Sequence, residues 1–123
     1  MSIYDYHTFE INDLSDANEI KRKFPKIKIN LLHSYESLVW QGPYYSKIIN
    51  ERFKKKNVNY IVELKQNIGL ILATISLDIK MLAISRGIRK EVLEKVLSIA
   101  KKKKVEILFI EKLKIKKQNK EKV

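Results

Sequence analysis

The chain has 123 residues, of which 45% are hydrophobic, and it contains three glycines, two prolines and no cysteine. This composition fits one compact domain with its own core, and the lack of cysteine excludes disulfide frameworks, thiol nucleophiles and thiolate metal sites. The net charge of +12 suits nucleic-acid binding through phosphates. However, only four of the 26 basic residues are arginine, and we prefer a solvated lysine surface as the interpretation.

A membrane-spanning segment is not expected. The longest apolar or small-residue run extends from Ile68 to Leu77, about half of the roughly 20 residues that a spanning helix needs. Residues 1–19 contain five acidic residues and no lysine or arginine, the opposite of a secretory signal peptide. The sequence therefore predicts a soluble, cytoplasmic chain without a membrane partner.

The N-terminal half alternates predicted strands and helices. The predicted elements are a strand from His7 to Ile11, a helix from Leu14 to Phe24 and a strand from Ile27 to Leu32. Asp13 or Ser15 can cap the first helix, and Pro25 ends it. Pro43 suits the first turn of a second helix, which carries an apolar stripe up to Phe53. The segment from Tyr35 to Tyr45, YESLVWQGPYY, is predicted to be mainly a loop.

The C-terminal half continues the alternation. The predicted elements are a strand from Tyr60 to Leu64, a helix from Ile68 to Leu77 capped by Asn67, a strand from Met81 to Ile84, a helix from Gly87 to about Lys102 and a strand from Val105 to Ile110. Continuous apolar strands around a largely apolar helix indicate parallel pairing. The lysines from Lys101 to Lys104 lie at the C-terminal end of the last predicted helix, where cations interact favourably with the helix dipole.

This pattern reads βαβαβαβαβ and predicts the α/β class. We expect a three-layer α/β/α sandwich with a mostly parallel five-stranded sheet, and the alternative is an open half of a (βα)8 barrel that self-association completes. Residues 1–111 are predicted to form the single domain. Residues 112–123, which are rich in lysine, are predicted to be a disordered tail.

A resemblance supports the same class. The segment from Tyr60 to Ser85, with Gly69, Leu70, Leu72 and Ala73 after a polar turn, resembles one βα repeat of TIM-barrel and flavodoxin-like proteins. It also resembles small bacterial α/β proteins of unknown function. The similarity covers about a fifth of the chain and implies a fold class but no activity.

The strand ends indicate where a ligand would bind, because open α/β sheets bind ligands beyond the carboxyl ends of their strands. In SRGIRK, Ser85, Arg86, Gly87 and Arg89 are candidates for binding a phosphate or carboxylate, since Gly87 permits close backbone approach and arginine offers a fork of donors. The favoured alternative is a helix cap at Ser85 and a turn at Gly87. No glycine-rich nucleotide motif is present, and no cofactor is predicted.

Three titratable residues near strand ends are weak catalytic candidates. Glu63 would be a tunable carboxyl if buried, His33 a general base facing Glu63, and Lys65 a Schiff-base lysine if desolvated. The structural alternatives, a solvated or ion-paired Glu63 and a hydrogen-bonded His33, are favoured. With two histidines and no cysteine, no metal site is predicted.

Trp40, Tyr44 and Tyr45 form the predicted interface, with a ligand lid or a piece of core as alternatives. The first functional hypothesis is a non-enzymatic module that associates with itself or with another protein, although enzyme activity is left open. The second is a domain, with or without catalytic activity, that binds an anionic small molecule at the strand ends. The third, which is not favoured, is nucleic-acid binding through the lysine-rich helix ends and tail.

Overall fold

The fold is seen in a computed structural model that describes residues 2–54 and 56–116. The strands are β1 His7–Ile11, β2 Ile29–His33, β3 Val58–Lys65, β4 Met81–Ile84, β5 Glu106–Phe109 and β6 Lys114–Lys116. The helices are α1 Leu14–Lys23, α2 Tyr35–Gln41, α3 Pro43–Phe53, α4 Ile68–Ser76 and α5 Lys90–Lys102. Two 3-10 turns, Ile3–Asp5 and Ile110–Lys112, precede β1 and follow β5.

The sheet is parallel throughout, with the strand order β5-β4-β3-β2-β1-β6. The predicted α/β class and the alternation of strands and helices are therefore confirmed. The sheet has six strands rather than five, because Lys114–Lys116 pairs with His7–Phe9 at the edge beyond β1. Part of the predicted tail thus belongs to the sheet, while residues 117–123 lie outside the described residues.

The five α-helices pack on one face of the sheet, which we call the helical face. From β1 to β5 the strand order runs in one direction, and right-handed crossovers then bring every helix to the same side. The buried apolar residues of the helices all share one core with the strands: Ala17, Ile20, Leu38, Ile49, Phe53, Ile71, Ile75, Val96 and Ala100. The sheet therefore carries helices on one face only, as in the alternative arrangement, an open half of a (βα)8 barrel. A second layer of helices on the other face would require the strand order to reverse.

The sheet is curled, and a short connection requires the curl. Only Ile110–Leu113 joins β5 to β6, the two edge strands. Five strand spacings in a flat sheet would separate these strands by about 24 Å, whereas five residue steps span at most about 18 Å. The backbone N–H of Phe109 accordingly donates to the hydroxyl of Tyr4, just before β1, over 3.0 Å.

A smaller apolar cluster covers the other side of the sheet, which we call the inner face. It consists of Leu32, Ile61, Ala83, Leu108 and Leu113, with Ile3, Tyr4, Met81 and Ile110 packed against it. Of the residues packed against the cluster, Ile3, Tyr4 and Ile110 come from the two 3-10 turns, and Met81 is the first residue of β4. The inner face is therefore closed by the chain segments that enter and leave the sheet.

The two largest differences between the observed and the predicted helices have local reasons. The segment predicted as a loop contains α2, since the Ser34 side chain caps the helix by accepting from the N–H of Ser37 and Gly42 ends it at φ 87°. Helix α5 begins at Lys90 rather than Gly87, because Gly87 has φ 104°, which an α-helix cannot contain. No helix within the described ranges is long and apolar enough to cross a membrane.

Candidate functional site

The carboxyl end of β3 is irregular where two of the predicted site residues lie. The pairing of β3 with β4 shifts between Glu63 and Lys65, and Lys65 has φ 51°, a left-handed conformation that is uncommon for a residue with a side chain. Bulges of this kind redirect side chains and are frequent beside functional sites. The bulge therefore draws attention to the carboxylate that precedes it.

Glu63 is half-buried near the carboxyl end of β3, on the side of the sheet where the carboxyl ends of the strands lie. We call this side the carboxyl edge. Its Oε1 accepts a hydrogen bond from the backbone N–H of Tyr35 over 3.0 Å. Burial raises the pKa of Glu63, the Tyr35 N–H and Lys65 lower it, and the carboxylates of Glu36 and Glu10 raise it, so that the net shift is upward. A carboxyl group with a raised pKa is able to hold a proton closer to neutral pH than an exposed glutamate.

Lys65 is placed for an ion pair rather than for covalent chemistry. Its Nζ lies 2.9 Å from Oε1 of Glu36 and 5.1 Å from the centre of the Tyr35 ring. The hydrogen bond to Glu36 raises the pKa of Lys65, whereas a Schiff-base lysine needs a lowered pKa in a desolvated site. The geometry therefore favours Lys65 as a partner of the neighbouring carboxylates.

His33 is completely buried and both of its ring nitrogens have partners. Nδ1 lies 2.6 Å from the Tyr60 hydroxyl and Nε2 lies 2.7 Å from Oε1 of Gln41. The amide nitrogen of Gln41 donates to the carbonyl of Asn12, which can only accept. Its Oε1 therefore faces His33, so the proton of the neutral imidazole is on Nε2 and Nδ1 accepts from Tyr60. Burial lowers the pKa of His33.

His33 and Glu63 do not form the predicted acid–base pair. His33 is aligned with Val62 in the neighbouring strand, and Val62 belongs to the core of the helical face. Because side chains alternate along a strand, the next residue, Glu63, projects toward the inner face. The two side chains thus lie on opposite sides of the sheet, and sequence reasoning missed this because it did not assign faces to the strand residues.

The predicted oxyanion site is partly filled by groups of the protein itself. The backbone N–H of Arg86 donates to Oε2 of Glu111 and its carbonyl accepts from Nε2 of Gln66. A Cβ on Gly87 would meet the same Gln66 nitrogen at 2.7 Å. The start of α5 borders a cavity of about 310 Å³ that is lined by Ile68, Ile88 and Val92 together with Gln66, Gly87 and Arg89. The wall of this cavity is largely apolar and offers few free hydrogen-bond donors for an anion.

The two side chains at either end of the predicted site have modest roles. Ser85 is half-buried, and its backbone N–H donates to the carbonyl of Lys65, which ties β4 to the bulge. Arg89 is the residue before α5, where no side chain caps the helix. Its Nε lies 4.0 Å from Glu91, a surface pair of little energetic weight.

The predicted aromatic interface lies on α2 and α3, which pack against each other. Four apolar side chains are exposed there: Trp40 at 91%, Tyr44 at 64%, Val39 at 54% and Ile48 at 50%. We call these four residues the α2–α3 apolar face. Tyr45 does not belong to it, because it is half-buried and its hydroxyl accepts from the N–H of Leu14 over 2.9 Å.

A buried polar cluster on the inner face was missed by the sequence analysis. Thr8, Asn30 and Asn59 are aligned across β1, β2 and β3. The Asn30 amide nitrogen donates to the Ile3 carbonyl and to Thr8 Oγ1, while its oxygen accepts from the Asn59 amide. The asparagines in otherwise apolar strands were the available signal, and their role is to anchor the N-terminal 3-10 turn.

Within residues 2–54 and 56–116, no three histidine, aspartate or glutamate side chains are grouped so that they could hold a metal ion. Comparisons of the chain with protein-family models, with curated proteins and with solved structures find no match. The function is therefore inferred from the geometry of the chain itself.

Proposed function

We propose that the protein associates with a second copy of itself through the α2–α3 apolar face. The observation that carries this proposal is the exposure of Trp40, 91% of whose surface is open to solvent, beside three further exposed apolar side chains. Tryptophan is the residue that most often dominates binding energy at protein interfaces. Contiguous apolar patches on a soluble surface mark interaction sites more often than isolated apolar residues do.

Local charge favours a second copy as the partner. The chain carries a net charge of +12, but the charged residues one helical turn from the face have both signs: Glu36, Lys47, Glu51 and Arg52. In a two-fold dimer the same surface meets itself, so each acidic group is able to face a basic group of the partner. Contact at this face would therefore bring together nearly neutral surfaces of a strongly basic protein.

The test uses Trp40 as a built-in probe, because it is the single tryptophan of the chain. The molar mass from light scattering and the tryptophan emission maximum are measured over a range of protein concentrations. We expect a dimer mass and a shift of the emission to shorter wavelength in the same concentration range. A monomer mass with an unchanged, solvent-exposed emission at all concentrations would contradict the proposal.

Variants assign the contact to this face. Trp40→Ala and Tyr44→Ala should each weaken dimerisation by about 30-fold or more, which corresponds to a loss of about 2 kcal/mol for an anchor side chain. Ile27→Ala is the matched control, since Ile27 is 57% exposed and precedes β2, away from α2 and α3. Equal weakening by all three substitutions would indicate nonspecific aggregation instead.

A second candidate function is binding of an anionic small molecule at the carboxyl edge, with Arg86 as the cation and Glu63 as a proton donor or acceptor. It is favoured by the half-buried Glu63 beside the bulge in β3. A thermal-shift screen of phosphorylated and carboxylated metabolites tests it, because a ligand of the native state raises the melting temperature. A shift that is lost in Arg86→Ala supports it, and no shift with any compound contradicts it.

A further inference from the structure

We propose that the side of the sheet formed by the amino ends of its strands binds single-stranded nucleic acid. The contacts are to the phosphates of the nucleic acid. In a parallel sheet each helix returns the chain from the carboxyl end of one strand to the amino end of the next. The C-terminal ends of α1, α3 and α5 therefore meet at one edge, together with Lys21–Lys23, Lys54 and Lys101–Lys104. We call this surface the basic edge.

The basic edge holds the positive excess of the described residues. Five carboxylates share the edge, those of Asp5, Glu19, Glu51, Asp78 and Glu106, and the lysines and arginines there clearly outnumber them. The basic residues at this edge are Lys21–Lys23, Lys26, Lys28, Lys47, Arg52, Lys54, Lys56, Lys80, Lys101–Lys104 and Lys114, and the remaining described residues hold eight acidic and seven basic side chains. The parallel topology has thus gathered a charge that is dispersed along the sequence into a net positive charge at one edge.

The helix dipole explains the lysines in the last turns of the helices, but it does not explain the cations that line the clefts of this edge. Lys28 and Lys80 precede β2 and β4. They line two clefts of about 420 Å³ and about 530 Å³, which share Asn59 and Met81 and therefore adjoin. Among the described residues, neither lysine has a carboxylate within 4.0 Å, whereas Lys54, also in the larger cleft, lies 3.7 Å from Glu51.

The chemistry of these clefts fits a flexible strand of phosphates and bases. Lysine contacts phosphate as a point charge, and releasing the counterions of the strand drives the binding. The ring of Tyr6, over which the Lys28 ammonium lies at 5.7 Å, lines the smaller cleft and offers a surface on which an unpaired base stacks. Few arginines are available for reading base edges, so we expect little sequence preference.

The experiment measures the fluorescence anisotropy of a labelled 20-nucleotide single strand, as RNA and as DNA, at several NaCl concentrations. A triple variant, Lys28→Gln, Lys54→Gln and Lys80→Gln, removes three exposed charges from the basic edge. The control triple variant, Arg89→Gln, Lys90→Gln and Lys95→Gln, removes three exposed charges from residues that line neither cleft. The two variants have the same net charge, so a difference between them reports the position of the charge.

We expect the wild-type affinity to fall steeply with salt. The basic-edge variant should bind about tenfold more weakly or worse, with a salt slope reduced by about 2, as three lost contacts predict for a single strand. The control should change by less than about twofold. Absence of binding by the wild type, or equal losses in the two variants, would overturn the proposal. Tighter binding to vesicles of anionic phospholipid than to either strand would also overturn it and point to a membrane surface.

Discussion

The Nδ1 atom of His33 lies 2.6 Å from the hydroxyl oxygen of Tyr60, within the core that joins β2 to β3. Neither residue is open to solvent to a substantial degree. Burial lowers the pKa of His33 and raises that of Tyr60, so both groups are held neutral. A residue that resembles a general base in the sequence is therefore part of the framework that holds the end of α2, since Gln41 is the last residue of that helix.

The buried, neutral state of His33 makes folding stability depend on pH. The unfolded imidazole takes up a proton near pH 6.5, whereas the folded one does so only at lower pH because its pKa is lowered. The stability is thus present above about pH 6.5 and is lost as the pH falls from there toward the folded pKa. Urea unfolding of the wild type between pH 8 and pH 5 should show this loss.

Two substitutions isolate the contribution of His33. At pH 8, His33→Leu should cost about 2 to 4 kcal/mol, because it leaves the Tyr60 hydroxyl and the Gln41 amide without their partner, and it should flatten the loss of stability below pH 6.5. His7→Gln, at an exposed position of β1, should retain that loss. An unchanged pH profile in His33→Leu would assign the effect to other groups.

Glu63 should have the opposite dependence on pH. Its pKa is raised in the folded protein, chiefly by burial, so ionisation disfavours folding. The contribution of Glu63 to stability is full below the unfolded pKa of about 4.5 and is lost as the pH rises through the folded pKa. Glu63→Gln keeps an acceptor for the Tyr35 N–H, and at pH 7 it should stabilise the protein by up to about 1 kcal/mol.

The difference between Glu63→Gln and the wild type should disappear near pH 4, where the glutamate is protonated in both states. Thermal unfolding at pH 4 and at pH 7 measures it. Glu91→Gln is the control, because Glu91 is exposed in the first turn of α5. A less stable Glu63→Gln at pH 7 would mean that Lys65 and the Tyr35 N–H more than offset the cost of burial.

The buried polar cluster of Thr8, Asn30 and Asn59 should be essential for holding the N-terminal 3-10 turn in place. Asn30→Ala removes the donor to the Ile3 carbonyl, which is partly buried, and the acceptor of the Asn59 amide, which is buried. We expect a loss of about 2 to 4 kcal/mol in urea unfolding and faster proteolysis near Ile3. Asn57→Ala, at an exposed position, should change neither quantity, and intact protection of the turn in Asn30→Ala would contradict the anchoring role.

Glycines at two positions should respond to alanine in opposite ways. Gly87→Ala places a Cβ at φ 104° and 2.7 Å from Nε2 of Gln66, and the left-handed backbone alone should cost about 1 to 2 kcal/mol. Gly69→Ala lies in the first turn of α4, where its Cβ would meet Oδ1 of Asn67 at 3.8 Å, an ordinary contact, and it should stabilise the protein by about 0.5 to 1 kcal/mol. Thermal unfolding compares the two.

A double variant separates the two costs at Gly87. Adding Gln66→Ala to Gly87→Ala removes the contact with the glutamine nitrogen but leaves the backbone conformation unchanged. We expect partial recovery of the melting temperature. Full recovery would show that the close contact, and not the backbone, makes glycine necessary at this turn.

Several elements were predictable because short-range signals determine them. The bounds of β1 and β4 agree with the prediction, since His7–Ile11 and Met81–Ile84 are flanked by residues that end strands. Helix α4 begins after Asn67, whose side chain accepts from the N–H of Leu70, as its capping role predicts. Helix α2 was missed because it has only seven residues, too few for a clear helical period.

By itself, the sequence determined the α/β class and the alternation of strands and helices, because apolar runs, caps and turn residues act over a few positions. The tertiary structure decided the strand order, the addition of β6 and the single helical layer. It also separated His33 from Glu63 and gathered dispersed lysines at one edge. These features depend on strand register and parallel pairing between residues far apart in the chain, which local pattern does not contain.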